Sequence, residues 1–187
     1  MTKEKTKYEK LMKEVQLLEG VTASLNDNFL IVKGPAGEAR RLLSNKNILI
    51  KIEGNKISFE SQRATKQNKK LLGSLIAHVR NMMKGSTQQH VYALKICSGH
   101  FPMNVSISGG KLSIKNFLGE KVPRTLQLKN GADLKIEGDT ILITSTNKEI
   151  AGQVAADIEQ LTRRPRYDTR IFQDGIYITS KDGKELK

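Results

Sequence analysis

Lys51-Ile52-Glu53-Gly54 returns 84 positions later as Lys135-Ile136-Glu137-Gly138. Upstream, Ile31-Val32-Lys33 followed by Gly37-Glu38 returns as Ser113-Ile114-Lys115 followed by Gly119-Glu120, at an offset of 82. Downstream, Leu72-Gly73-Ser74-Leu75-Ile76-Ala77 returns as Ala151-Gly152-Gln153-Val154-Ala155-Ala156, at an offset of 79. Three matches in one order, with small slips between them, describe a duplicated unit of roughly 80 residues, longer than the common solenoid repeats. The chain therefore reads as two similar small domains in tandem.

Working outward, each copy reads as four short strands and a helix. In the first, Val21, Ala23 and Leu25 alternate with polar residues and turn at Asn26-Asp27-Asn28 into Phe29-Leu30-Ile31-Val32, while Ile48 to Ile52 turns at Glu53-Gly54-Asn55 into Ile57-Ser58-Phe59. In the second, Val105 and Ile107 turn at Gly109-Gly110 into Leu112 and Ile114, and Leu134 and Ile136 turn at Gly138-Asp139 into Ile141 to Ile143. Period-two spacing around Gly, Asn and Asp turns is the hairpin pattern. Leu71, Leu72, Leu75, Ile76, Val79, Met82 and Met83 make one helical stripe, and Ile150, Ala151, Val154, Ala155, Ile158 and Leu161 its equivalent, both suited to covering a sheet. Thr146-Asn147-Lys148-Glu149 reads as a capping box with Thr146 as cap. Gly73 and Gly152 fall inside the helices at matching positions and suggest close helix-to-sheet approach, since a helical Gly costs about 1 kcal/mol against Ala. The expected fold is α+β, two duplicated domains, each an antiparallel sheet packed against one helix.

The expected boundaries are an extension over 1–19, repeats over 20–85 and 86–162, and a basic tail over 163–187. Leu11, Val15 and Leu18 suit a short helix in the extension. Residues 86–101 carry strand-like alternation and suit the first strand of the second sheet.

The chain has 187 residues, 37% hydrophobic and 27% charged, enough for two modest cores. No apolar run approaches the roughly 18 residues of a membrane span. Met1 to Lys13 mix Lys and Glu with no hydrophobic segment behind them, unlike a signal peptide. A single cysteine, Cys97, excludes an internal disulfide framework and suits a reducing compartment, so the cytoplasm is the expected location.

Net charge is +13, and no acid occurs between Glu60 and Glu120, where Arg63, Lys66, Lys69, Lys70, Arg80, Lys84, Lys95, Lys111 and Lys115 fall. Such a field concentrates a polyanion, and nucleic acid is the commonest one in the cytosol. An anionic membrane surface fits less well without a basic amphipathic helix bearing bulky aromatics. The plain alternative is a solvated surface.

Residues for catalysis or cofactor binding are not assembled. His78, His90 and His100 lack metal spacing, and Cys97 with His100 forms a C-x-x-H without a second pair. Phosphate-cradling glycine motifs are missing. Gly34-Pro35-Ala36-Gly37 matches the G-x-x-G clamp of KH domains but follows a strand-like run, so it reads as a turn. No enzyme activity and no cofactor are expected.

The tail is more pointed. Arg163, Arg164, Arg166 and Arg170 fall within eight positions, interleaved with Tyr167 and Phe172. Guanidinium forks match phosphate oxygens and stack on bases, and aromatic rings offer further faces. Pro165 stops the preceding helix, which suggests an extended arm. Arginines placed favourably at a helix C-terminus are the alternative explanation.

Asn116-Phe117-Leu118-Gly119-Glu120-Lys121, then Gly152 to Glu159, then Arg170-Ile171-Phe172-Gln173-Asp174-Gly175-Ile176-Tyr177 together resemble the universal large-subunit ribosomal protein family numbered six in bacteria and archaea and nine in eukaryotes. The last motif and Lys121-Val122-Pro123-Arg124 resemble its archaeal-type branch. The resemblance implies a structural, ribosome-bound role, with large-subunit rRNA contacted through the second copy and tail near the stalk base and sarcin-ricin loop. It implies neighbouring large-subunit proteins as partners, with translation factors as further candidates and no membrane. Carried over residue by residue, the implied RNA-facing positions are Arg163, Arg164, Arg166, Tyr167, Arg170, Phe172 and Lys181, with Gly109, Gly110 and Lys111 of one hairpin. Asp174-Gly175 reads as a turn, with Ile176 and Ile178 packing locally. The competing classes are an RNA-processing enzyme and a module for an acidic protein.

Overall fold

The computed structural model describes residues 10–43, 47–168 and 170–186. The chain divides into a unit over Met1–Gln88 and a unit over Gln89–Lys187. In the first, β1 (Leu11–Gln16), β6 (Lys56–Ser61) and β5 (Ile48–Glu53) form an antiparallel sheet in the order β1-β6-β5, and β2 (Thr22–Asn26), β3 (Phe29–Gly34) and β4 (Gly37–Leu42) form a second in the order β2-β3-β4. Helix α1 (Lys66–Thr87) follows. The second unit repeats this plan. Here β7 (His90–Cys97), β12 (Thr140–Ser145) and β11 (Asp133–Glu137) stand for β1, β6 and β5; β8 (Asn104–Ser108), β9 (Lys111–Lys115) and β10 (Arg124–Gln127) stand for β2, β3 and β4; and α2 (Lys148–Leu161) stands for α1. The α+β duplication is thus a duplication of topology, with six strands before each helix where the pattern suggested four. Of the four added strands, β1 replaces an expected helix, β7 is the strand expected in residues 86–101, and the two missed outright, β4 and β10, lie at sheet edges. Charge dominates Gly37-Glu38-Ala39-Arg40-Arg41-Leu42, and β10 has only four residues, so neither carries a long alternation.

Two further expectations change. Residues 11–16 form a strand, not a helix, because β6 offers a partner from Leu11↔Ser61 to Gln16↔Lys56 and the cores of Val15 and Leu17 alternate at period two. The first repeat therefore begins inside the expected extension. The tail does not end outside the fold either. Residues Gly175–Lys181 form β13, which pairs antiparallel with β7 from Gly175↔Cys97 to Lys181↔Tyr92, and β14 (Lys184–Glu185) pairs with β13. The sheet order becomes β11-β12-β7-β13-β14, and Ile176 is wholly buried with Leu94, Ile141, Ile143 and Ile158. Ile176 thus packs across the sheet rather than locally.

The helix stripes pack as their spacing requires. Leu72, Leu75, Ile76, Val79, Met82 and Met83 join the first core, and Ala151, Val154, Ala155 and Ile158 the second. The cap of α2 is Asn147 rather than Thr146: its side chain accepts from the Glu149 amide at 2.9 Å. Gly34-Pro35-Ala36-Gly37 is the β3–β4 turn, where a Cβ on Gly34 would lie 2.6 Å from the Ser86 carbonyl oxygen. The helical glycines differ in cause. A Cβ on Gly152 would meet the Tyr92 hydroxyl at 3.4 Å, whereas one on Gly73 would meet nothing within 4 Å. Gly73→Ala is therefore expected to raise stability by about 1 kcal/mol through helix propensity, and Gly152→Leu to lower it by driving into the Tyr92 ring. Urea unfolding midpoints of the two variants should move in opposite directions.

Candidate nucleic-acid interface

Helix α2 stops at Leu161, and the chain folds back to enter β13 at Gly175. Thr162 joins these events: its Oγ1 donates to the Glu159 carbonyl at 3.1 Å and accepts from the Ile176 amide at 3.0 Å. Pro165 prevents a further helical turn, and Arg166 takes a left-handed φ of 73° that redirects the backbone. Asp168 then closes a turn, its carbonyl accepting from the Ile171 and Phe172 amides at 3.1 and 2.9 Å. The Arg-rich stretch is a folded loop and not an extended arm.

Its aromatic residues form a stack. The Phe172 ring lies 4.9 Å from the His100 imidazole, nearly parallel, and meets Tyr167 edge-on at 5.0 Å. The Arg164 guanidinium covers Tyr167 at 4.4 Å. Asp174 secures the base of this stack and is not part of a local turn. Its buried carboxylate accepts from the Gly99 and His100 amides at 2.7 and 2.9 Å and pairs with the His100 Nδ1 at 2.5 Å. Burial pushes its pKa up, but these hydrogen bonds outweigh burial and hold it below the ordinary value of 3.8. A carboxylate with a depressed folded pKa contributes stability above its unfolded pKa and loses it as pH falls. The second unit should accordingly weaken below about pH 4, and Asp174→Asn should flatten that acid dependence in pH-resolved melting.

Beside the stack, Glu120 holds Arg124 through a fork at 2.8 and 2.7 Å, and Arg124 also donates to the Leu161 carbonyl at 2.6 Å and covers Phe117 at 4.4 Å. The hydrogen bond from Arg124 keeps the Glu120 pKa low. Since Arg124 occupies that carboxylate, Arg164 reaches it only at 3.8 Å. Arg163 and Arg166 have no ion-pair partner among the described residues.

Arg163, Arg164, Arg166, Tyr167 and Phe172 line one open cleft of about 470 Å³, with Leu118 and Tyr177 on its wall. The other expected positions lie elsewhere. Arg170 is outside the lining and folds onto Asp168, donating at 3.1 and 2.8 Å. Lys181 is at the far end of β13, six residues from Gly175 and so roughly 20 Å away. Gly109, Gly110 and Lys111 occupy the β8–β9 tip, at the end of β9 opposite the Phe117–Gly119 turn. The two glycines have φ of 56° and 72°, a left-handed conformation, and a Cβ on Gly109 would meet nothing within 4 Å. That tip offers bare backbone, but as a separate patch. Sequence reasoning missed His100, Glu120 and Arg124 as supports. The Glu120 and Arg124 spacing was the available signal; His100 gave none, because its partner is 74 residues away. Among the described residues, no group of three or more His, Cys, Asp or Glu is placed to hold a metal.

Comparison with known proteins adds a lineage. The family described as "Ribosomal protein L6" matches residues 19–89 and 101–175. The chain is similar to the "Large ribosomal subunit protein uL6" of Methanococcus vannielii, 40% identical over 176 residues, covering 94% of this chain and 97% of the relative. It is likewise similar to the proteins of that name from Methanobrevibacter smithii, 39% identical over 92% of this chain and 97% of the relative, and Methanothrix thermoacetophila, 38% identical over 92% and 98%.

Proposed function

This chain belongs to the ribosomal protein L6 family, and from that premise we propose that it braces the large ribosomal subunit by clamping rRNA in the cleft between α2 and β13. It is a structural, non-catalytic large-subunit protein of the cytoplasmic ribosome. Arg163, Arg164 and Arg166 contact phosphate oxygens, and Tyr167 offers its half-exposed ring to an unstacked base. The β8–β9 tip touches the backbone of a separate rRNA segment through Gly109, Gly110 and Lys111. Neighbouring large-subunit proteins share the surroundings, and the site lies near the stalk base and sarcin-ricin loop, within reach of translation factors.

The observation that carries this reading is the cleft itself. It places three arginines beside two aromatic rings, while the carboxylates around them are committed elsewhere: Asp174 to the Gly99 and His100 amides, Glu159 to the Ile178 amide and Glu120 to Arg124. Intramolecular ion pairing does not account for Arg163 and Arg166, whereas a polyanion does. Sedimentation of a lysate tests the reading. The chain should travel with the large subunit and leave it on high-salt washing, with rRNA around the sarcin-ricin loop becoming accessible to chemical probes. Co-sedimentation insensitive to salt, or altered accessibility confined to other regions, would contradict it.

A further inference from the structure

We infer that the exposed face of α1, in the first unit, is a second RNA-binding surface, one that accepts the backbone of a duplex. The inference rests on the reading of the chain as an RNA-binding subunit, but it concerns different residues on a different unit.

The duplication supplies its own control. Aligned at the offset of 79, Lys70 of α1 stands where α2 has Glu149, and Arg80 where α2 has Glu159. Helix α1 carries Lys66, Lys69, Lys70, Arg80 and Lys84 and no acid, while α2 carries Lys148 against Glu149, Asp157 and Glu159. The acids of α2 serve its own unit: Glu149 occupies the first turn, Asp157 pairs with Lys129 at 3.2 Å, and Glu159 accepts from the Ile178 amide at 3.1 Å. Four of the cations of α1 serve no such purpose. Lys66, Lys69, Lys70 and Arg80 are exposed and have no ion-pair partner among the described residues. Three of the lysines crowd the helix N-terminus, the end whose dipole disfavours positive charge. Folding gains nothing from this arrangement, but an anion lying along the helix relieves it.

Geometry narrows the anion. Lys70 and Arg80 are about 15 Å apart along the axis. Between them the exposed stripe consists of Gly73, Ser74 and Ala77, with open space over Gly73. Two cationic patches flanking a low, smooth saddle match two phosphate rows flanking the shallow minor groove of an RNA helix, with the Ser74 hydroxyl facing the 2′-hydroxyls. A protein partner fits less well. Protein interfaces bury aromatic and apolar residues and are poor in Lys, and no large apolar side chain of α1 is exposed.

The test uses the full chain and an RNA duplex of arbitrary sequence, about 16 base pairs long. Binding is followed by fluorescence anisotropy between about 50 and 200 mM salt. Lys66→Gln, Lys69→Gln, Lys70→Gln and Arg80→Gln combined should weaken binding at least about tenfold at the low end and flatten the salt slope by about three to four, one per lost phosphate contact. Gly73→Leu should melt higher than the parent yet bind the duplex less, which a purely structural glycine would not do. Unchanged affinity and slope in the fourfold variant, or parental binding by Gly73→Leu, overturns the inference. So does a greater loss against poly-glutamate than against RNA, which assigns the face to an acidic protein. In parallel, Arg163→Gln, Arg164→Gln and Arg166→Gln combined separates the two sites. Loss in that variant alone refutes the α1 face and leaves the cleft standing, and loss in the α1 variant alone does the reverse.

Discussion

Reversing Arg163, Arg164 and Arg166 together to glutamate is expected to lower affinity for large-subunit rRNA by about a thousandfold or more. Each guanidinium–phosphate contact is charge-assisted and contributes on the order of 1.5 kcal/mol, so three of them correspond to roughly three decades. Reversal goes beyond removal, since three carboxylates then face the phosphates. Arg170 is a poor third member of this set: its guanidinium already binds Asp168, and that pair shapes the turn that presents Phe172. The fold should tolerate the change, because none of the three arginines belongs to the second core. The measurement is equilibrium binding to large-subunit rRNA at fixed low salt, with thermal melting as the control. A variant that melts normally and still binds as tightly as the parent removes the cleft from consideration.

A chain ended at Phe172 should lose the second unit rather than only an RNA-binding arm. The truncation removes β13, which lies between β7 and β14, and with it the wholly buried Ile176. Loss of a buried Ile side chain alone costs about 2–5 kcal/mol. Asp174, which gathers the Gly99 and His100 amides, leaves at the same time, as does Asp182, which accepts from or pairs with the buried His90 ring at 2.9 Å. Hydrogen bonds to charged groups contribute about 1.5–3 kcal/mol each. Against a typical domain stability of about 5–15 kcal/mol, these losses together are enough to unfold the unit. Circular dichroism should lose about half its native amplitude, and limited proteolysis should leave a fragment close to Met1–Gln88. Cooperative unfolding of the shortened chain at the parental temperature would show β13 to be dispensable.

The residues that were legible in the sequence are those whose reasons are local. The repeated Lys-Ile-Glu-Gly tetrapeptide and the two helical stripes determined the duplication, the α+β class and the composition of both cores, since hydrophobic period depends only on which face is covered. The excess of cations pointed to a polyanionic partner, and the run from Arg163 to Phe172 holds half of the residues that line the cleft. What only the tertiary structure decided is whatever depends on a distant partner. Leu11–Gln16 fits a helix by spacing and becomes a strand because β6 supplies its ladder. The Ile176 and Ile178 alternation was visible, but its meaning depended on β7, whose Ile96 and Leu94 lie 80 and 84 positions earlier. The tail's arginines looked equivalent on paper, and the fold divided them: Asp168 takes Arg170, and Glu120 is held by Arg124, so the remaining three face the cleft. Sequence order fixes which charges a chain carries, but the meeting of remote segments in space sets which of them remain unneutralised.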